Sequence, residues 1–268
     1  MTTHLAEVLD VVDDPEEREA HGLALDVLQR AGVEPMVGGA YALRTYTSIW
    51  RDTKDLDLFL RKDRVDEALD ALHAAGFRCE LTDPMWLAKA FRGDYFIDLI
   101  FSSGNGIAVV DEHWTRRAGR AQVLDRDCLV IPAEEMIWSK AFVQERERFD
   151  GADIHHLLRC SGKKLDWEHL LARFDRHWQV LLAHLITFRF AFPCEKEQVP
   201  SWVMHELTAR LTEAEDADPS KERTCRGTLL SRTQYVYELR EGYLDCRARE
   251  STDWHGGVFT PVPHPRRE

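Results

Sequence analysis

Apolar residues come in short alternating or continuous runs through the first half of the chain and at helical spacing through the second. Pro15-Glu16-Glu17 opens a helix reaching Gln29 or Arg30, with proline in the first turn and acids at the positive end. Ala31-Gly32 stops it. Val33 to Val37 is apolar but interrupted by Pro35, which predicts a bent or edge-like strand. Ala40 to Arg44 reads as a brief helix and Leu56 to Leu60 as a strand. Val65, Leu69, Leu72 and Ala75 share one side of a helix from Arg64, closed by Gly76. Phe77 to Leu81 and Phe91 to Phe101 predict further strands. Gly104-Asn105-Gly106 marks a turn, and Ile107 to Val110 and Ala121 to Ile131 are less regular.

The character then changes. Pro132-Ala133-Glu134-Glu135 starts a helix expected to reach Arg146 or Phe149. Asp153 to Arg159, Trp167 to Phe174, Trp178 to Phe190 and Trp202 to Leu211 all have helical spacing. Trp138, Trp167, Trp178 and Trp202 are expected to fill the helical core. Glu213 to Pro219 is acidic and reads as a solvated loop, followed by a helix-like run from Leu229 to Tyr243. The pattern is an α/β (α+β) domain over residues 1–131, a helical domain over 132–259 and a disordered tail over 260–268.

Composition narrows the function classes. The chain has 268 residues and a formal charge of -12, which repels polyanions and disfavours bulk binding of DNA or RNA. Six cysteines lie scattered without a C-x-x-C pair, which argues against a disulfide scaffold or a zinc cluster and suits a reducing compartment. Met1 to Asp14 is acidic, and the apolar stretch near Val180 to Phe192 is broken by His184 and Arg189. Neither a leader nor a membrane span is expected, and the cytoplasm is the expected location.

The chemistry concentrates in three places. Gly38-Gly39 ends one apolar run, Asp55 and Asp57 alternate with leucines on the next, and Asp98 stands alone inside Tyr95 to Phe101. Residues two apart on a strand share a face, so Asp55 and Asp57 project together. Paired carboxylates repel one another unless a cation joins them, and Mg²⁺ or Mn²⁺ takes oxygen ligands of this kind. The glycine pair lets backbone amides at the start of a helix approach a phosphate. Arg51 or Lys54 would supply positive charge nearby. A D-x-D alone is usually a solvated strand end. The order G-G, then D-x-D, then an acid in an apolar strand is far more restrictive.

Gly38-Gly39-Ala40, then Arg51-Asp52-Thr53-Lys54-Asp55-Leu56-Asp57-Leu58, then Asp98 resembles the nucleotidyltransferase fold of the DNA polymerase β superfamily, in particular its AbiEii/AbiGii-toxin-like branch. The likeness covers Val33 to Leu158. It implies a small mixed sheet with a helical C-terminal extension, and metal-dependent transfer of a nucleoside monophosphate from a nucleoside triphosphate to a hydroxyl. The acceptor is a small molecule, a protein or a tRNA, and a toxin–antitoxin role comes with the branch. The resemblance implies Asp55, Asp57 and Asp98 as catalytic metal ligands, with Gly38, Gly39, Arg51, Thr53, Lys140 and Asp153 on the nucleotide. Asp153 would orient Lys140 or a nearby arginine. Ala40 departs from the serine or threonine common at that position and removes one phosphate contact.

Other residues have blander readings beside functional ones. Arg146 and Arg148 reach phosphate or pair with neighbouring acids on a wet surface. His155-His156 reads as a helix-face pair with one ring buried, and His113 as a possible pocket residue. Arg226 and Arg232, in a locally basic segment, are candidate substrate contacts. A non-catalytic nucleotide-binding or protein-interaction module of the same fold is the alternative function.

Overall fold

A computed structural model describes residues 14–51, 53, 55–231 and 233–247. Helix α1 spans Pro15–Arg30; Asp14 caps it by accepting the Glu16 amide, and Gly32 turns the chain away at φ 72°. Strand β1 (Met36–Val37) leads into α2 (Gly39–Thr47), then β2 (Asp55–Phe59) and α3 (Val65–Ala74). Strands β3 (Arg78–Asp83), β4 (Leu87–Arg92) and β5 (Tyr95–Ile100) follow as an antiparallel meander. Helix α4 (Glu112–Arg117) precedes the hairpin of β6 (Gly119–Val123) and β7 (Arg126–Val130).

These strands make one seven-stranded mixed sheet in the order β3-β4-β5-β2-β1-β7-β6. Strand β2 runs parallel to β5 and antiparallel to β1, and β1 runs parallel to β7. Leu56, Leu58, Ile97 and Leu99 point to one face, where they pack with residues of α1 and α3. Phe59, Val130 and Met36 belong to the other face. That face opens onto a core shared with α5 (Ala133–Ala141), α6 (Gly151–Ser161), α7 (Trp167–Phe174), α8 (Trp178–Ala191) and α9 (Ser201–Asp216). Their core runs unbroken from the sheet into the helices. The architecture is the expected mixed α/β core with a helical C-terminal region.

Several local expectations need correction. Phe91 to Phe101 is two strands, because Gly93 at φ 62° reverses the chain between β4 and β5. Ala121 to Ile131 holds a regular hairpin whose two-residue turn, Leu124-Asp125, has φ of 51° and 62°. Helix α5 stops at Ala141 rather than Arg146 or Phe149, and an antiparallel bridge from Gln144 to Phe149 folds the segment back on itself. The acids Glu213 to Asp216 extend α9 instead of forming a loop. Among the described residues of the run from Leu229 to Tyr243, only α10 (Val236–Arg240) is α-helical. Trp138 and Trp167 are buried, but Trp202 is 47% exposed and does not fill the core. The tail over 260–268 lies outside the described residues.

No helix among the described residues is long and apolar enough to cross a membrane. All six cysteines are free.

Candidate active site

The parallel pairing of β2 and β5 sets Asp57 directly opposite Asp98. Since Leu56, Leu58, Ile97 and Leu99 fill the core beneath α1 and α3, strand alternation turns Asp55, Asp57 and Asp98 to the opposite face. One carboxylate oxygen from each lies within 4.8 Å of the others. Burial, followed by the charges of Asp55 and Asp98, pushes the Asp57 carboxyl up to about 7. Burial also raises Asp98, against the pull of Lys89, whose ammonium stands 2.7 Å from Asp98 Oδ1. The Thr53 hydroxyl donates to Asp55 Oδ1 and fixes that carboxylate from its other side.

The glycine pair meets this cluster from β1. The Gly38 amide donates to the Asp57 carbonyl at 2.9 Å. Gly39 has φ 53°, and a Cβ there would fall 1.8 Å from Asp57 Oδ2. A Cβ on Gly38 would fall 2.2 Å from the Phe59 ring. Only glycines let the start of α2 come this close to the carboxylates. The amides of its first turn carry the partial positive charge of the helix start.

Cations approach from α5 and the segment behind it. Lys140 Nζ donates to Asp150 at 2.8 Å and pairs with Asp153 at 2.9 Å. Arg148 forks onto Asp150 through Nε and Nη2, both at 3.0 Å. Burial acts to raise the Asp150 carboxyl, but hydrogen bonds from Arg148 and Lys140 outweigh it and hold the group below the usual carboxylate range. Asp153 is 2% exposed and also accepts Arg51 at 2.7 Å, so it joins Lys140 to the end of the Arg51 side chain.

A cavity of about 360 Å³ opens over the cluster. The three aspartates, Lys140, Glu145, Arg148 and Asp150 form its charged part, Gly39 lies beside the aspartates, and Phe59, Ile100, Met136 and Leu229 are part of its apolar walls. That size suits a nucleotide or a molecule of similar bulk. Arg51, Thr53 and Asp153 stand behind the lining residues rather than among them. Arg226 is exposed and does not line the cavity, and neither does His113. Arg232 and Lys54 lie outside the described residues. His155 bonds Thr187 at 3.1 Å, and the only group of three or more metal-ligating side chains among the described residues is the aspartate trio.

Lys89 has no place in the sequence-based expectation because the strand predicted there begins only at Phe91, whereas β4 begins at Leu87. Its signal is nonetheless present: a lone lysine in Trp86-Leu87-Ala88-Lys89-Ala90-Phe91 mirrors the lone aspartate of the next strand. The walls contributed by residues 102–105 and 229–230 have no comparable local signature, since only the tertiary fold brings them together.

The donor set suits a divalent cation. Its ligands are all carboxylate oxygens, the hard donors that magnesium and manganese prefer, and their mutual repulsion already weakens the Asp57 acid.

Among solved structures, the antibiotic-resistance factor ANT(2'')-Ia in solution is similar at 16% identity and a TM-score of 0.47, covering 64% of this chain and 97% of that one. The lincomycin-bound lincosamide antibiotic adenylyltransferase LnuA is similar at 16% identity and a TM-score of 0.39, covering 52% and 94%. An antigenic nucleotidyltransferase-like protein from Paracoccidioides brasiliensis is similar at 16% identity and a TM-score of 0.47, covering 72% and 98%. No curated protein matches. Residues 23–191, most of the chain, match the model of a family described as uncharacterised nucleotidyltransferases, and the chain belongs to that family.

Proposed function

We propose that this protein transfers a nucleoside monophosphate from a nucleoside triphosphate to a hydroxyl of a small-molecule acceptor. The observation that carries the reading is the meeting of three carboxylates from two parallel strands with a glycine-bounded helix start in one cavity. Asp55, Asp57 and Asp98 would hold Mg²⁺ or Mn²⁺, which when bound offsets their repulsion and the charge of the phosphates. The amides after Gly38 cradle the phosphates, with Lys140 and Arg148 adding positive charge. Asp153 keeps Lys140 and Arg51 in place. Asp98 takes the proton of the acceptor hydroxyl as its oxygen bonds to the α-phosphorus. The bond from that phosphorus to the β-phosphate oxygen breaks, and pyrophosphate leaves.

A tRNA acceptor is the narrower form suggested by the likeness to AbiEii-type toxins. It would have to approach a chain of net charge -12. The cavity's size favours a small molecule. Two features support the alternative of a nucleotide-binding module with little turnover: Ala40 offers phosphate no hydroxyl, and Lys89 already holds Asp98.

Calorimetric titration with a non-hydrolysable triphosphate, with and without Mg²⁺, tests the binding half of the proposal. Metal-dependent binding that disappears in Asp55→Asn supports it, and binding indifferent to both metal and substitution refutes it. Incubation with α-labelled nucleotide and a pool of hydroxyl compounds then separates a transferase from a binder by whether label moves.

A further inference from the structure

We propose that the cavity beyond Asp98 is the acceptor subsite and is built for a largely apolar molecule bearing a hydroxyl. The inference rests on the transferase reading above. It starts from the strand that carries Asp98. Phe101 continues β5, its amide donating to the Trp86 carbonyl at 3.0 Å and its carbonyl accepting the Val110 amide at 3.1 Å. Asp98, Ile100 and Ser102 all line the cavity, although the chain bends at Phe101 and Ser102.

Ser102 is 1% exposed, and its buried Oγ has no hydrogen-bond partner. Its neighbours are already engaged: Ser103 Oγ donates to Asn105 Oδ1 at 2.6 Å, and Asn105 Nδ2 donates to the Leu229 carbonyl at 2.8 Å. A buried hydroxyl left unpaired beside satisfied ones is the group in this wall with hydrogen-bonding capacity to give a ligand. Between it and Asp98 the lining is Ile100, with Phe59 from the adjacent strand and the Trp86 indole also on the cavity.

The charged lining residues outside the aspartate trio, Lys140, Glu145, Arg148 and Asp150, all come from α5 and the segment after it. An acceptor whose hydroxyl sits at Asp98 therefore lays an apolar body over Ile100, and a second polar atom, where the acceptor carries one, meets the Ser102 hydroxyl. Phosphate contacts would fall on the Gly39 and Lys140 side, so the acceptor would approach Asp98 from the Ser102 side.

The test uses 2-naphthol, a flat neutral molecule with one hydroxyl, and the α,β-methylene analogue of ATP with Mg²⁺. The expected result for the wild-type protein is that naphthol binds with nucleotide present, its Kd within about threefold of the value without nucleotide. Ala108→Phe, which fills this wall, weakens naphthol at least about tenfold and leaves nucleotide affinity within about threefold. Displacement of naphthol by nucleotide assigns the slot to the nucleobase and overturns the inference, as does failure of naphthol to bind. The competition uses the wild-type protein alone, so it decides the matter even where a substituted chain folds poorly. Failure of the wild type to bind nucleotide would instead overturn the transferase reading itself.

Discussion

Lys89 and Asp98 face one another across the antiparallel pair β4 and β5, with the ammonium 2.7 Å from the carboxylate and 4.3 Å from the centre of the Phe96 ring. The lysine is a fixed cation inside an otherwise negative cluster. Its side chain is 21% exposed, so solvent screens part of the interaction. In Lys89→Met, Asp98 faces Asp55 and Asp57 without that charge. The expected cost to the metal-free protein is about 1–2 kcal/mol, a fall of several degrees in Tm, most of which saturating Mg²⁺ restores. A variant that melts with the wild type in EDTA would show that Lys89 contributes nothing to holding the cluster.

Asp57 sets a pH dependence with a definite sign. Its carboxyl is raised from 3.8 to about 7, chiefly by burial and then by Asp55 and Asp98. The folded chain thus holds a proton that the unfolded chain gives up earlier. The associated stability is complete below the ordinary carboxylate range and is lost as pH rises through about 7. Asp57→Asn is therefore expected to melt higher than the wild type at pH 8 in EDTA, by a few degrees, and to approach it only as pH falls below about 4. Added Mg²⁺ should reverse the order at pH 8, because only the wild type gains a ligand. In the wild type, Mn²⁺ affinity should fall on acidification below pH 7 as protons compete for Asp57. Melting curves and Mn²⁺ titrations across this range check both signs.

Gly39 cannot be replaced cheaply. In Gly39→Ala the new methyl group meets Asp57 Oδ2, and the backbone at φ 53° is strained as well. The expected loss is about 1–3 kcal/mol of stability, together with at least a tenfold drop in metal affinity as Asp57 is displaced. Gly32→Ala shares a positive φ but has open space around its Cβ. It should cost stability and spare the metal. Equal effects of the two substitutions on Mn²⁺ binding would contradict the role given to Gly39.

Asp153 is expected to act on nucleotide through Lys140. Asp153→Asn weakens its hold on Lys140 and Arg51, while Asp150 still accepts Lys140. Triphosphate affinity should fall by about tenfold in Lys140→Met and by less in Asp153→Asn, with monophosphate affinity less affected in each. The double variant should behave like Lys140→Met, since the aspartate works through the lysine. Additive losses would place Asp153 on an independent path.

Much of the fold and the acidic trio is legible locally, and the reasons are physical. Asp55 and Asp57 alternate with leucines because their strand has one face in the core. Asp98 stands out because a carboxylate inside an apolar strand needs a partner. Features created by chain reversal or distant packing leave no such trace. The run read from Phe91 onward is two strands reversed at Gly93, and the first of them starts earlier, at Leu87, so that Lys89 goes unread. The bridge from Gln144 to Phe149 brings Arg148 back onto Asp150, where helical spacing alone would continue α5. Leu229 reaches the cavity from a segment whose sequence reads as helix, and Asn105 meets it from across the sheet.

The most direct measurement is a crystal grown with Mn²⁺ and a non-hydrolysable nucleoside triphosphate, with anomalous diffraction used to locate manganese. The expected result is an anomalous peak bound by Asp55 and Asp57 and shared with a phosphate oxygen, with the phosphates against the amides that follow Gly38. Manganese elsewhere, or a nucleotide seated away from the three aspartates, would contradict the proposed chemistry.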